Sequence, residues 1–77
     1  MTLQQALKHK FNIVKGMNEI VKAMNDEDAY MKWVEVVPDE ATDEDLQEIA
    51  EDDDLFRYTV KTFNNLNCLY GDDLYLN

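Results

Sequence analysis

Apolar residues recur at helical spacing through the first third of the chain. Leu3, Leu7, Phe11, Val14, Met17, Val21 and Met24 step by three or four positions, the repeat of one face of an α-helix. Ala6, Ile13 and Ile20 widen the stripe. Thr2, with Gln5 three residues later, has the form of a capping box, in which two side chains satisfy backbone donors at a helix start. The pattern predicts a helix over residues 3–24, with an apolar arc broad enough for the rest of the chain to pack around it. Gly16 interrupts it at a cost of about 1 kcal/mol relative to Ala. Its missing side chain is expected to admit the close approach of another helix.

Asn25-Asp26 reads as a stop and restart, and either residue can cap the next helix. Asp26, Glu27 and Asp28 suit the positive end of a helix dipole. Tyr30, Trp33, Val34 and Val37 then fall at i, i+3, i+4 and i+7, which predicts a second helix ended by Pro38. The alternative is a short strand, because "WVEVV" is rich in β-branched residues. Thr42 caps a third helix with Asp43, Glu44 and Asp45 in its first turn, and only Leu46, Ile49 and Ala50 face inward. Asp52 or Asp53 caps a fourth. Leu55, Phe56, Thr59, Val60, Phe63 and Leu66 form its apolar face. "YGDD" is a turn signal around Gly71, and the tail "LYLN" is apolar enough to dock on the body. The expected fold is all-α: one compact four-helix domain over residues 1–77 with a docked C-terminal tail.

Composition sharpens this picture. Hydrophobic residues make up 45% of the 77 residues, enough for a core despite a formal charge of −10. That charge is unevenly placed. Residues 1–25 carry four lysines against Glu19, whereas residues 26–54 carry fourteen acids against Lys32 alone. Residues 55–77 balance, with two basic and two acidic side chains. All the net negative charge therefore sits in the middle third. Such a field repels nucleic acid and anionic membrane and attracts basic partners. Cys68 is the sole cysteine, so no internal disulfide forms within the chain. That fits a reducing, cytoplasmic setting. "MTLQQALKHK" has no early apolar run of a signal peptide, and the longest apolar runs are too short to span a bilayer.

Residue supply excludes several chemistries. His9 lies between Lys8 and Lys10 on the first helix and reads as a solvated side chain. With one His and one Cys, a zinc site of the usual ligands is not available. Cys68 reads as a small core residue or an ordinary thiol, since an activated nucleophile wants an electropositive niche. The chain contains no serine, which removes Ser-His-Asp chemistry. Its two glycines cannot build a phosphate-cradling loop. An EF-hand register fails from Asp39, where position six is Glu44 and position twelve is Ala50. It fails again from Asp43, where position six is Glu48. The lysines of the first helix read as its solvated face, or as an offset to the acidic segment within the fold. The expectation is a protein that is not an enzyme, with no cofactor and no metal site.

The segment "PDEATDEDLQEIAEDDDLF", Pro38 to Phe56, holds ten acids among nineteen residues. Capping explains part of it, because acids in first turns stabilise helices by roughly 0.3–1 kcal/mol each. It does not explain Glu44 with Glu48, or Glu48 with Asp52. Like-charge pairs four apart cost about 0.2–0.5 kcal/mol each. Acids four apart lie about 6 Å apart along a helix axis, comparable to successive phosphates on a nucleic-acid strand. Asp39, Asp43, Glu44, Glu48, Glu51, Asp52 and Asp54 are the candidate partner-binding residues. Tyr30, Trp33 or the C-terminal tyrosines are candidate aromatic anchors, although core packing suits Trp33 better.

In size, acidity, helical character and lack of catalytic residues the chain resembles small phage-encoded inhibitors that mimic DNA, anti-CRISPR proteins among them. The resemblance is one of general character, and no functional residue is carried over from it. It implies a block on a nucleic-acid site of a host enzyme. The expected function is a non-enzymatic acidic binding protein that inhibits or modulates a basic, nucleic-acid-handling partner. The alternative is a small accessory or structural subunit assembling through apolar helix faces, its acids serving solubility alone.

Overall fold

The computed structural model describes residues 2–70. Among them run four helices: α1 Leu3–Met24, α2 Glu27–Trp33, α3 Asp43–Glu51 and α4 Asp53–Tyr70. No strand occurs among the described residues. The tail expected to dock on the body, Leu74 to Asn77, lies outside them.

Each helix start is built from side chains the sequence supplies. Thr2 Oγ1 accepts from the Gln5 N–H at 3.1 Å, and Gln5 Oε1 accepts from the Thr2 N–H at 2.8 Å. Thr42 and Asp45 repeat this box at α3, at 3.2 and 3.0 Å. Asp26 caps α2 by accepting from the Ala29 N–H at 3.2 Å. Asn25 instead ends α1, in a left-handed conformation at φ 53°, which Asn tolerates better than most residues. Asp52 caps α4 by accepting from the Leu55 N–H at 3.1 Å.

The second helix is shorter than the periodicity suggested. It ends at Trp33, and Val34 to Pro38 continue as turns rather than helix or strand. The Val36 and Val37 N–H groups both donate to the Trp33 carbonyl, at 2.9 and 2.8 Å. Pro38 bars Val37 from helical geometry, so the chain tightens early. Val37 is still fully buried, which is why its spacing mimicked a longer helix.

The core joins all four helices. α1 packs against α3 and α4, and α2 packs against α1 and α4. Val14, Met17 and Val21 of α1 meet Ala29 and Trp33 of α2, Leu46 and Ile49 of α3, and Leu66 of α4. Trp33 sits at the centre, fully buried. Its ring meets Phe63 edge-on, with centroids 6.1 Å apart, a favoured aromatic geometry. Its Nε1–H donates to Oδ1 of the buried Asn18 at 2.8 Å. Thr59, also fully buried, donates its hydroxyl to the Leu55 carbonyl at 2.7 Å. Among the described residues no buried side-chain nitrogen or oxygen lacks a partner.

One expectation is corrected. Gly16 does not mark a close helix contact, because a Cβ built there meets nothing within 4 Å. Of the two readings of Cys68, core residue or ordinary thiol, the core one does not hold: it is free and exposed on the last turns of α4, where Leu66 turns inward.

Candidate partner-binding surface

α3 separates its faces sharply. At 100° per residue, Glu44, Glu48 and Glu51 share one side, and the buried Leu46, Ile49 and Ala50 share the other. Core burial of that apolar triplet therefore fixes the three glutamates toward solvent, and all three are exposed. Asp54 is exposed in the first turn of α4, one short step further along the chain.

The seven candidate acids do not share one condition. Asp39 accepts a hydrogen bond from the Tyr30 hydroxyl. That bond, then burial and the charges of Asp39 and Glu40, hold the Tyr30 phenol above its ordinary pKa. Asp43 lies 3.7 Å from the Lys15 ammonium. Glu51 accepts from the Gln47 amide at 3.2 Å. Asp52 is the cap of α4. Among the described residues Glu44, Glu48 and Asp54 form no ion pair. The structure thus leaves four of the seven engaged within the molecule and three facing solvent with their charge uncompensated by a direct partner.

The strongest local pairing involves Asp53, which the sequence offered only as an alternative cap of α4. Asp53 Oδ1 lies 2.8 Å from Lys10 Nζ, and Asp53 Oδ2 lies 3.7 Å from the Arg57 guanidinium. The hydrogen bond from Lys10, the Lys10 charge and the Arg57 charge hold the Asp53 carboxyl below the usual carboxylate range. Lys10 also lies 5.3 Å from the centre of the Phe56 ring, within reach of a cation–π contact. Lys10 and Asp53 are 43 residues apart in sequence, so no local spacing announced them. Of the two readings of the α1 lysines, the offset holds for Lys10 and Lys15, which face the starts of α4 and α3. Glu40 was also unforeseen: it adopts φ 55°, a left-handed geometry uncommon for a residue that is not Gly or Asn.

The aromatic candidates divide as well. Trp33 belongs wholly to the core, and Tyr30 is half-buried beside Asp39. Among the described residues Tyr58, on α4, is an exposed aromatic side chain, at 58%, and sequence periodicity had not separated it from its neighbours. Tyr75 lies outside the described residues. Among the described residues no group of three or more His, Cys, Asp or Glu is placed to hold a metal ion. None of the described helices is long and apolar enough to cross a membrane.

Fold and surface together define a small all-α domain with one helix face given over to acids. No family model, no curated protein and no solved structure matches the chain.

Proposed function

We propose that this chain is a non-enzymatic, cytoplasmic binding protein that inhibits or modulates a basic, nucleic-acid-handling partner. Its acidic face takes the place of nucleic-acid phosphates on that partner. The observation that carries this reading is the division of the acids. Lys10 and Lys15 compensate Asp53 and Asp43 at the inner edge, while Glu44, Glu48 and Asp54 stay exposed without an ion pair among the described residues. Glu44 and Glu48 repel one another across one helical turn, a cost that a basic partner's surface relieves. Association through such a face is fast and salt-sensitive. The likeness in character to acidic phage-encoded DNA mimics, anti-CRISPR proteins included, supports the same reading. The accessory-subunit reading has less to draw on, because Val14, Met17 and Val21 of α1 are already spent on the chain's own core.

The test is affinity capture from a bacterial lysate, eluted first with duplex DNA and then with high salt, and read by mass spectrometry. A nucleic-acid-binding partner displaced by DNA is the expected result. The triple variant Glu44→Lys, Glu48→Lys, Glu51→Lys should then lose that partner while its helical circular dichroism persists. Undiminished capture by the folded triple variant overturns the proposal.

A further inference from the structure

We propose that the outer face of α4, with the groove beside it, binds a second copy of this chain in an antiparallel two-fold dimer. The groove runs between the end of α2 and α4 and measures about 610 Å³, room for several side chains of a partner. Val36, Leu66, Tyr58 and Leu69 give it an apolar lining. Tyr58 and Leu69 are 58% and 66% exposed. Two large apolar side chains left open along one helix face mark a contact site. No residue of α3 lines this groove, so the dimer goes beyond the acidic-face reading and does not depend on it.

Three observations select a copy of the same chain as the occupant. The first is register. Tyr58, Thr62, Asn65 and Leu69 fall at i, i+4, i+7 and i+11 on α4, the spacing of a coiled-coil seam. The two apolar members lie at the ends and the two polar ones at the middle, about one common midpoint. A second α4 running antiparallel about that midpoint sets Tyr58 of each copy against Leu69 of the other, and Asn65 against Thr62. The Thr62 hydroxyl donates to the Tyr58 carbonyl at 2.9 Å, so its oxygen is left to accept from the Asn65 amide of the other copy. A polar pair at the centre of a seam specifies register at some cost in affinity. The second observation is that the groove complements itself. Glu35 and Lys61 both line it and are exposed. Among the described residues neither forms an ion pair. An open acid and an open base on one patch suit a two-fold contact, in which each copy offers both to the other. The third is charge. Copies of a chain of net charge −10 repel wherever their acids approach. α4 carries no acid from Leu55 to Tyr70, so this face opposes a second copy little.

Sedimentation equilibrium of the 77-residue chain tests the dimer, at protein concentrations from about 10 µM to about 1 mM. A monomer–dimer equilibrium with its midpoint inside that window is expected. It should tighten as salt is raised, because screening removes the repulsion between two acidic chains. Leu69→Asp and Tyr58→Asp change exposed positions, so the fold should persist, and circular dichroism confirms it. Each should weaken association roughly tenfold or more, since a two-fold interface carries every substitution twice. A chain that stays monomeric at every concentration overturns the proposal. So does a dimer whose midpoint both folded variants leave within about twofold, because its interface then lies elsewhere. Association that weakens with salt overturns it as well, by pointing to the α3 acids of one copy docked on the α1 lysines of another.

Discussion

The buried hydrogen bond between Trp33 and Asn18 makes the sharpest claim about stability. Asn18→Ala strands the indole N–H, which in the native protein donates at 2.8 Å to the Asn18 carbonyl oxygen. Trp33 is fully buried and Asn18 is 7% exposed, so water has little access to the orphaned donor. Leaving a buried polar group without a partner costs about 1–3 kcal/mol, and the burial at both ends argues for about 2. A domain of this length has roughly 4–11 kcal/mol of stability in total. The variant should therefore melt roughly 8–16 °C lower, at the 4–8 °C per kcal/mol typical of this size. Trp33→Phe orphans the other end and also removes volume. The double variant Asn18→Ala, Trp33→Phe removes both polar groups and should lose less than the two single losses together, by about 1–2 kcal/mol. Urea unfolding monitored by circular dichroism measures all four corners of the cycle. A cost under about 0.5 kcal/mol for Asn18→Ala, below the range for an orphaned donor, with no coupling, would refute the reasoning. It would mean that the indole finds water or another acceptor.

Two further outcomes rest on the same geometry. Gly16→Ala should raise stability by about 1 kcal/mol, because the new Cβ meets nothing within 4 Å and no described glycine has a positive φ; a lowered melting temperature would place an unseen neighbour against it. Asp53 carries the pH dependence. Its folded pKa lies below the ordinary value, so its contribution is present above the unfolded carboxylate range, near pH 4, and is lost as pH falls through the lowered folded value. Asp53→Asn should lower stability at neutral pH by the same amount that disappears from the acid limb, a small amount since the pair is exposed. An acid limb of unchanged slope in that variant would remove Asp53 as its source.

Helix grammar in this chain is local, and what is local was legible. The Thr2–Gln5 capping box, the Thr42 cap, one of the two caps offered for each of α2 and α4, and the apolar stripe of α1 each depend on residues within a few positions of one another. All of them appear in the structure. Failures fall where distant parts decide. Trp33, Val34 and Val37 keep helical spacing, yet Pro38 and the burial of Val37 turn the chain before a second full turn forms. Gly16 looked like a contact because glycine permits one, but packing placed no helix there. Lys10 and Asp53 meet across 43 residues, and Asn18 meets Trp33 across 15. Neither pair leaves a periodic trace. The acidic surface was half legible: composition identified the segment, while only tertiary pairing separates Asp43 and Asp53 from Glu44 and Glu48.

That separation bears on why the chain keeps its charge. Acids that cap a helix or meet a lysine stabilise the fold, so their retention needs no partner. Glu48 is different. It stands one turn from Glu44 within α3, and that relation opposes the helix by about 0.2–0.5 kcal/mol. α3 has only nine residues and three buried side chains to hold it, and isolated helices this short are marginal. Solubility is served equally well by charge placed elsewhere, for example along the exposed side of the longer α4. Repelling carboxylates on so short a helix are what the proposed recognition surface accounts for. The triple reversal at Glu44, Glu48 and Glu51 tests this through capture. It can change capture, but it leaves positions 44 and 48 a like-charge pair of inverted sign, so the helix itself gains no relief between them. If the acids serve a partner, capture is lost; if they serve solubility alone, capture is untouched.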